Sequence, residues 1–310
     1  MLLVFATSDK GGTGRSVTSS NVLYQSALNG ADVCYLDFDF GSPTAGAIFG
    51  IDAMARGIDS GGLHTYLQSS KAVEAKGVDV WTHSERPELR NRFFDAGRLV
   101  LYPGDRSGGE FTLENRLVDR CSRQLLRLQE EFDVCLVDLS AGRSTAIELA
   151  LAATAHPQVR KARKIVPRWL VFHRWTRQHI LAAAGLVHGE HGILRSGESW
   201  GHDRKTLQAS IRFVRTAVMD IEQQEERGMR PAQIAWLEKC DNDLRSLAER
   251  HDLAADRMLG QTPLDPMLQW REQLITDADV MDSRIANPET LQSFRDLAGA
   301  LNDPRRWEGM

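Results

Sequence analysis

The chain has 310 residues, of which 42% are hydrophobic and 26% charged, so its length allows one large α/β domain or two smaller ones. The formal net charge of -4 gives no overall basic field that would draw the protein to nucleic acid. Nucleic-acid binding would therefore require a local basic patch. No apolar run approaches the roughly 18–20 residues of a membrane-spanning helix. The four cysteines lie too far apart for a zinc motif, and we expect reduced core thiols in a cytoplasmic protein.

Apolar runs of strand length alternate with helical periods along the chain, a pattern typical of βαβ units. The predicted strands, in chain order, are Leu2–Thr7, Val33–Asp37, Leu99–Tyr102, Val134–Val137, Leu170–Phe172, Ile211–Val214 and Arg257–Leu259. The predicted helices are Ser16–Leu28, a helix from Leu113 to Leu128, one through Ile180 to Val187, and one from Leu291 to Leu301. We therefore predict an α/β fold with a mostly parallel central sheet flanked by helices.

Two stretches resemble additions to this alternating core. Residues 52–95 are polar and carry few strand signals, whereas residues 216–250 have a helical pattern with an apolar stripe from Ile234 to Leu247. We expect the stripe to pack on the sheet; the alternative is a dimer or partner surface. No internal repeat or low-complexity linker divides the sequence. We therefore predict a single domain over residues 1–310, with insertions at 52–95 and 216–250.

A glycine-rich loop stands between the first predicted strand and the first predicted helix. It reads Lys10-Gly11-Gly12-Thr13-Gly14-Arg15-Ser16. Strand, loop and helix in this order form a phosphate cradle, because glycines let backbone N–H groups turn toward an anion and the helix N-terminus adds its dipole. The Ser16 hydroxyl is suited to ligate Mg²⁺. The predicted phosphate-binding residues are Gly11, Gly12, Thr13, Gly14, Arg15, Ser16 and Val17.

Carboxylates follow two other predicted strands. Asp37 and Asp39 come at the end of the second strand, and Asp138 follows the apolar run of the fourth, as in a Walker B segment. Because ligands of open α/β sheets bind at the carboxyl ends of the strands, we expect these carboxylates to lie beside the glycine loop. A nucleotide switch requires acids there, near Mg²⁺ and the attacking water.

The loop resembles the deviant P-loop of the ParA/MinD ATPases, whose pattern is Lys-Gly-Gly-x-Gly-Lys-Ser/Thr. The resemblance covers about residues 1–50, 97–190 and 255–301. It implies bound ATP and Mg²⁺, and a homodimer that forms on ATP binding. Lys10 matches the family's signature lysine, which reaches across the dimer to the partner's nucleotide.

The resemblance also implies roles for individual residues. Asp39 would orient the attacking water, Asp37 would support the Mg²⁺ shell, and Asp138 would hold Mg²⁺ through water. The backbone N–H of Gly142 would sense the γ-phosphate, and Pro263 would contact the base. The family's Asn-Arg that reads the base is absent from Val214-Arg215-Thr216, so base specificity stays open.

One residue departs from the family pattern. Arg15 stands where the second lysine is expected, and a planar guanidinium does not fill the place of a point charge. Binding of ATP should survive this change more readily than hydrolysis. Two functions follow: a weak ATPase switch that partitions or positions DNA, a plasmid or a protein cargo, and an ATP-binding scaffold with little or no hydrolysis.

The remaining signals concern partners. The basic run from Arg160 to Arg177 is a candidate for non-specific DNA binding, against the alternative of a solvated loop. The last predicted helix has a polar side of mixed charge, so we expect a core helix and no membrane anchor. The family also implies an activating protein partner. A metabolic enzyme on the same fold is the third alternative, although the sequence lacks the cluster cysteines of a nitrogenase-type reductase and the C-terminal tyrosines of a tyrosine kinase.

Overall fold

Eight strands form one sheet in the computed structural model, which describes residues 1–71, 73–90, 94–162, 164–222 and 228–308. The strands are β1 (Leu2–Thr7), β2 (Val33–Phe38), β3 (Val78–Asp79), β4 (Leu99–Tyr102), β5 (Val134–Leu139), β6 (Val166–Arg174), β7 (Ile211–Val218) and β8 (Met258–Pro263). Their order across the sheet is β3-β4-β2-β5-β1-β6-β7-β8. Every neighbouring pair is parallel except β3 with β4. The predicted mostly parallel α/β sheet is confirmed.

Helices cover both faces of this sheet. They are α1 (Arg15–Leu28), α2 (Ala45–Ile48), α3 (Leu63–Gln68), α4 (Val80–His83), α5 (Pro87–Arg90), α6 (Asn115–Leu128), α7 (Thr145–Ala155), α8 (Pro157–Lys161), α9 (Arg177–His188), α10 (Ile193–Ser199), α11 (Arg204–Ala209), α12 (Pro231–Arg250), α13 (Pro266–Trp270), α14 (Asp277–Met281) and α15 (Pro288–Asn302). One core lies between the sheet and α6, α7 and α9, and the other between the sheet and α1 and α15.

The central strands are buried on both faces. In β1, Leu3 and Phe5 join the first core, while Val4 and Ala6 join the second. This alternation follows from the two-residue period of a strand. Because helices cover both faces, such a strand is apolar throughout, and this continuous pattern made β1, β2, β4 and β5 predictable.

The predicted bounds of β6 and β7 were wrong, since both strands are longer than their apolar centres. Two arginines interrupt the apolar pattern: Arg168 on β6 and Arg212 on β7. Both guanidiniums lie over the ring of Trp307, at 4.8 and 5.5 Å from its centroid. An aromatic face lets a charged side chain sit within a strand at low cost. The two-residue edge strand β3 was not predicted.

The two proposed insertions contain different structure. Among the described residues of 52–95 are three short helices and β3, which extends the sheet edge. Residues 216–218 complete β7, and α12 then packs Leu247 and Ala248 into the first core. Trp236 on the same helix is 64% exposed. Trp236 is not part of the stripe, whose first residue, Ile234, is buried at 8% exposure. Both ends of the stripe therefore pack inward as expected, and the domain division remains a prediction.

His173 near the end of β6 gives the fold a pH dependence. Its ring is 1% exposed, and burial, with smaller contributions from Arg215 and His179, lowers its pKa to about 4. Between the ordinary histidine pKa of about 6.5 and this value, the unfolded chain binds a proton that the folded chain does not. Stability should therefore fall as the pH drops through this window. The free energy of unfolding of the wild type should decrease between pH 7 and 4.5, and we expect His173→Phe to make this decrease smaller by about 2–3 kcal/mol. This estimate uses about 1.4 kcal/mol per pKa unit.

Urea unfolding of both proteins at the two pH values measures this difference. The exposed His191 provides a matched control, and His191→Phe should keep the wild-type pH dependence. Equal losses in wild type and His173→Phe would show that another group is responsible.

Candidate functional site

The ends of three central strands converge at one edge of the sheet. β5 lies between β2 and β1, and Asp138 on β5 pairs in register with Asp37 on β2 and with Ala6 on β1. The loop of residues 8–14 leaves β1 at this edge and leads into α1. The topology thus brings together the loop and the carboxylates that the sequence had assigned to one site.

The glycine loop has the backbone of an anion cradle. Gly12 and Gly14 have φ values of +69° and +72°, a region that side chains with a Cβ rarely adopt. A Cβ on Gly11 or Gly12 would meet open space within 4 Å. Within the described part of the chain, no backbone N–H of residues 10–17 donates a hydrogen bond. These donors fit a phosphate, which would satisfy several of them at once.

Contacts behind the loop fix its position. The Thr216 hydroxyl at the end of β7 donates to the Thr13 carbonyl at 2.5 Å. On α1, the side chain of Asn21 bridges the Val17 carbonyl and the distant backbone of Gln273 and Ile275. The cradle is therefore held from two sides, and Val17, buried at 7% exposure, contributes through packing.

Arg15 lies buried against the carboxylates. Its Nε donates to Asp138 Oδ1, and its Nη2 donates to Asp39 Oδ2 at 3.1 Å. Weaker contacts of 3.5 Å reach Ser8 Oγ and Ser16 Oγ. Burial opposes the charge, but Asp138 and Asp39 outweigh it and raise the pKa of Arg15. The guanidinium therefore stays charged and ties the helix N-terminus to β5 and β2.

Asp37 is in the cluster but faces other donors. Its Oδ1 accepts from the backbone N–H of Asp39, and its Oδ2 accepts from that of Ala45, both at 3.2 Å. Burial raises the pKa of Asp37 to about 8, and the nearby Asp138 carboxylate adds to the rise. Two main-chain donors thus hold Asp37 in place and shape the turn after β2.

Tyr35 is a site residue that the sequence analysis did not identify. Its hydroxyl donates to Asp138 Oδ2 at 2.7 Å, so both oxygens of Asp138 have a donor. Tyr35 lies two positions before Asp37, on the same face of β2, because side chains alternate along a strand. This spacing was the signal that could have revealed it.

Lys10 lies at the exposed front of the loop. Its side chain forms no ion pair with any residue that the structure describes, and its carbonyl accepts from Ser8 Oγ at 3.0 Å. Its charge is therefore not paired with a described carboxylate and is open to an external anion.

Gly142 follows β5 beside the loop. Its φ is +78°, and its N–H donates to the Ser8 carbonyl at 2.8 Å. The next residue, Arg143, donates to the Gly185 carbonyl of α9 at 3.2 Å. The Gly142 N–H is therefore already bonded to Ser8, and the γ-phosphate contact expected of it stays a prediction.

Pro263 lies apart from the loop. It lines a cleft of about 440 Å³ together with Arg215, Met219 and Gln261. Of the lining residues that the structure describes, none comes from the loop of residues 10–17. Arg215, which lines the cleft, is followed in the chain by Thr216, whose hydroxyl contacts the loop. The assignment of Pro263 to the base stays a prediction.

The donor set fits a phosphate more fully than a metal. Among the described residues there is no group of three His, Cys, Asp or Glu side chains that could hold a metal ion. Mg²⁺ is commonly bound by one or two carboxylates together with substrate phosphates. Ser16 and Asp138 are oxygen donors suited to that arrangement, so they fit Mg²⁺ only when phosphate oxygens complete the shell.

The basic run of residues 160–177 does not form one surface. β6 lies within it, and nine residues at about 3.3 Å each separate its ends by nearly 30 Å. At one end, Arg160 donates to the Gly201 carbonyl and Lys164 pairs with Glu130. Arg174 and Arg177 lie at the other end, on the edge that carries the loop. Arg163 falls outside the described residues. Of the described helices, none has the length and apolarity to cross a bilayer.

The architecture of this chain is similar to that of several solved structures. No protein-family model matches the chain, and no curated protein matches it in sequence. Solved structures match over nearly the whole chain. A plasmid partition protein from Borrelia burgdorferi bound to AMPPNP is 13% identical, with a TM-score of 0.58 and coverage of 96% of this chain and 97% of that one. The septum site-determining protein MinD from Pyrococcus horikoshii, complexed with Mg-ADP, is 14% identical, with a TM-score of 0.52 and coverage of 98% of both chains.

The ParA protein of pNOB8, bound to non-specific DNA, is 14% identical, with a TM-score of 0.52 and coverage of 98% of this chain and 97% of that one. The chain has the ParA/MinD fold. In this fold, the strand edge that carries the glycine loop of this chain also carries Asp37, Asp39 and Asp138. The ParA/MinD resemblance noted from the loop sequence and the architecture of the sheet therefore agree.

Proposed function

We propose that the chain is a member of the ParA/MinD group and acts as an ATP-dependent dimerising switch ATPase, partitioning or positioning DNA, a plasmid or a protein cargo. One observation carries this proposal: no backbone N–H of residues 10–17 donates a hydrogen bond within the described part of the chain. These free donors lie beside Asp138, and the loop also carries the exposed Lys10. The AMPPNP and Mg-ADP named with two neighbours of the same fold support ATP and Mg²⁺ as the ligands.

Different residues of the chain would have different roles in such a site. Backbone N–H groups of Gly11, Gly12 and Gly14 bind phosphate, and the α1 dipole favours the negative charge. Asp39, the most exposed carboxylate of the cluster at 25%, is placed to orient an attacking water. Bound Mg²⁺ supplies charge neutralisation of the phosphates.

A second candidate function, an ATP-binding scaffold with little or no hydrolysis, is favoured by the contacts of Arg15. Its guanidinium is held by Asp138 and Asp39 and must leave one of them to approach a phosphate. Phosphoryl transfer depends on cations aimed at the transferred phosphate, and a guanidinium held by two carboxylates is aimed elsewhere. Binding would then continue while turnover is slow.

The partners we propose are a second copy of the chain, an activating protein, and DNA contacted through the part of the run 160–177 that lies at the loop edge. DNA binding is supported by the pNOB8 protein named with non-specific DNA. Arg174 and Arg177, at the loop edge, are the members of the run best placed to contact DNA next to a nucleotide-dependent dimer interface. We propose a cytoplasmic location.

Lys10→Ala tests the switch. The side chain makes no ion pair with described residues, so the variant should keep the wild-type stability. We expect it to lose ATP-dependent dimerisation, because a charge reaching the partner's phosphates would be absent. Light scattering after size-exclusion chromatography, with and without AMPPNP, measures the change.

The matched control for this test is Lys76→Ala, which removes another exposed lysine near the sheet edge formed by β3. It should dimerise as the wild type does. Normal dimerisation of Lys10→Ala would refute the signature-lysine role.

A further inference from the structure

One guanidinium contacts three of the four side chains expected around the metal and the water, all except Asp37. Arg15 is 6% exposed, and its nitrogens reach Asp138, Asp39 and Ser16. The head group therefore lies inside the oxygen cluster and not along the open face of the glycine loop. A positive charge is already paired with two of the carboxylates expected to serve Mg²⁺ and the water.

The carboxylate oxygens of Asp138 and Asp37 already accept hydrogen bonds. Asp138 accepts from Arg15 with Oδ1 and from Tyr35 with Oδ2. Asp37 accepts from two backbone N–H groups with its two oxygens. A metal bound directly by Asp138 would have to replace one of these donors, and the Arg15 guanidinium is the one it would also repel.

Arginine and lysine differ in this position. The planar fork of Arg15 bonds two carboxylates at once, whereas an ammonium on a flexible stem acts as a point charge and moves readily to a phosphate. An arginine therefore supplies the cluster with a fixed cation, while a lysine would leave the carboxylates to Mg²⁺.

We propose that Arg15 is the resident cation of this site and that Arg15 and Mg²⁺ are alternatives at Asp138, so the chain binds nucleoside triphosphate with little dependence on Mg²⁺. This inference rests on the proposed nucleotide function and specifies how the site is regulated. Nucleotide affinity depends on where the Arg15 guanidinium lies and only weakly on the concentration of divalent cations.

Titration of the full chain with mant-ATP, in Mg²⁺ and in EDTA, tests the inference. For wild type we expect the two dissociation constants to agree within about threefold, and for Arg15→Lys we expect binding in Mg²⁺ to be tighter by about tenfold or more. Arg195→Lys is the matched control, since Arg195 is a 70% exposed arginine on α10 that pairs with Glu198 and lies outside the site, and it should keep the wild-type ratio. Circular dichroism checks each fold, and Arg15→Gln replaces Arg15→Lys if the latter is unfolded.

Three outcomes of this titration would contradict different parts of the account. Wild-type binding that is tenfold or more tighter in Mg²⁺ would overturn the inference and leave the nucleotide function standing. An equally small Mg²⁺ effect in wild type and Arg15→Lys would overturn the role of Arg15. No binding of mant-ATP by wild type in either condition would overturn the proposed function, and the inference with it.

Discussion

Asp138→Asn should destabilise the chain by about 2–3 kcal/mol, because it leaves the buried Arg15 with a single charged partner. Removing one member of a buried ion pair commonly costs about 3–5 kcal/mol. Two features reduce the expected cost here. Asp39 remains 3.1 Å from Arg15 Nη2, and loss of the Asp138 charge relieves the neighbouring Asp37. Urea unfolding measured by circular dichroism, at pH 7, gives the free energy of unfolding.

Two further variants separate the ion pair from general disruption of β5. Asp39→Asn removes the more exposed partner of Arg15 and should cost under about 1 kcal/mol, since solvent compensates part of the lost charge. The double variant Arg15→Met/Asp138→Asn removes both charges and should recover most of the stability lost by Asp138→Asn. A double variant less stable than Asp138→Asn would show that Asp138 acts through contacts other than Arg15.

Gly14→Val should abolish nucleotide binding while the chain stays folded. Gly14 has a φ of +72° and caps the N-terminus of α1. A β-branched residue there is strained by about 1–2 kcal/mol, and relief of the strain turns the adjoining N–H groups away from the phosphate. We expect the affinity for mant-ATP to fall by about 100-fold or more, as the loss of two or three hydrogen bonds to a charged group implies.

Gly299→Ala is the matched control for the loop. It replaces a glycine in α15 whose Cβ would meet no atom within 4 Å. In a helix interior, alanine is favoured over glycine by about 1 kcal/mol, so this variant should be slightly more stable and should bind mant-ATP as wild type does. If Gly14→Val binds mant-ATP as tightly as wild type does, the nucleotide site lies away from this loop.

The sheet and the composition of the loop edge were predictable from the sequence, for a specific physical reason. Strands such as β1 and β5 are covered by helices on both faces, so their uninterrupted apolar runs mark their positions. The carboxyl ends of parallel strands then meet at one edge, which places Asp37 and Asp138 beside the glycine loop.

The direction of the Arg15 side chain was not predictable in this way. The family pattern implied a phosphate contact, whereas the guanidinium turns toward Asp138 and Asp39. That choice depends on the register between β2 and β5 and on the donor that Tyr35 supplies to Asp138. The direction of one polar side chain depends on partners that the fold brings from distant strands, and the sequence around Arg15 does not identify them. The start of β6 was missed for a related reason, since Arg168 gains its support from the distant Trp307.

The central claim is that ATP closes two copies of the chain into a dimer. Light scattering after size-exclusion chromatography of the wild-type chain, in AMPPNP and in ADP, tests it most directly. The account predicts a mass near that of the 34.7 kDa monomer in ADP and about twice that mass in AMPPNP. A monomer in both nucleotides, at concentrations where mant-ATP is bound, would contradict the switch and leave only a nucleotide-binding scaffold.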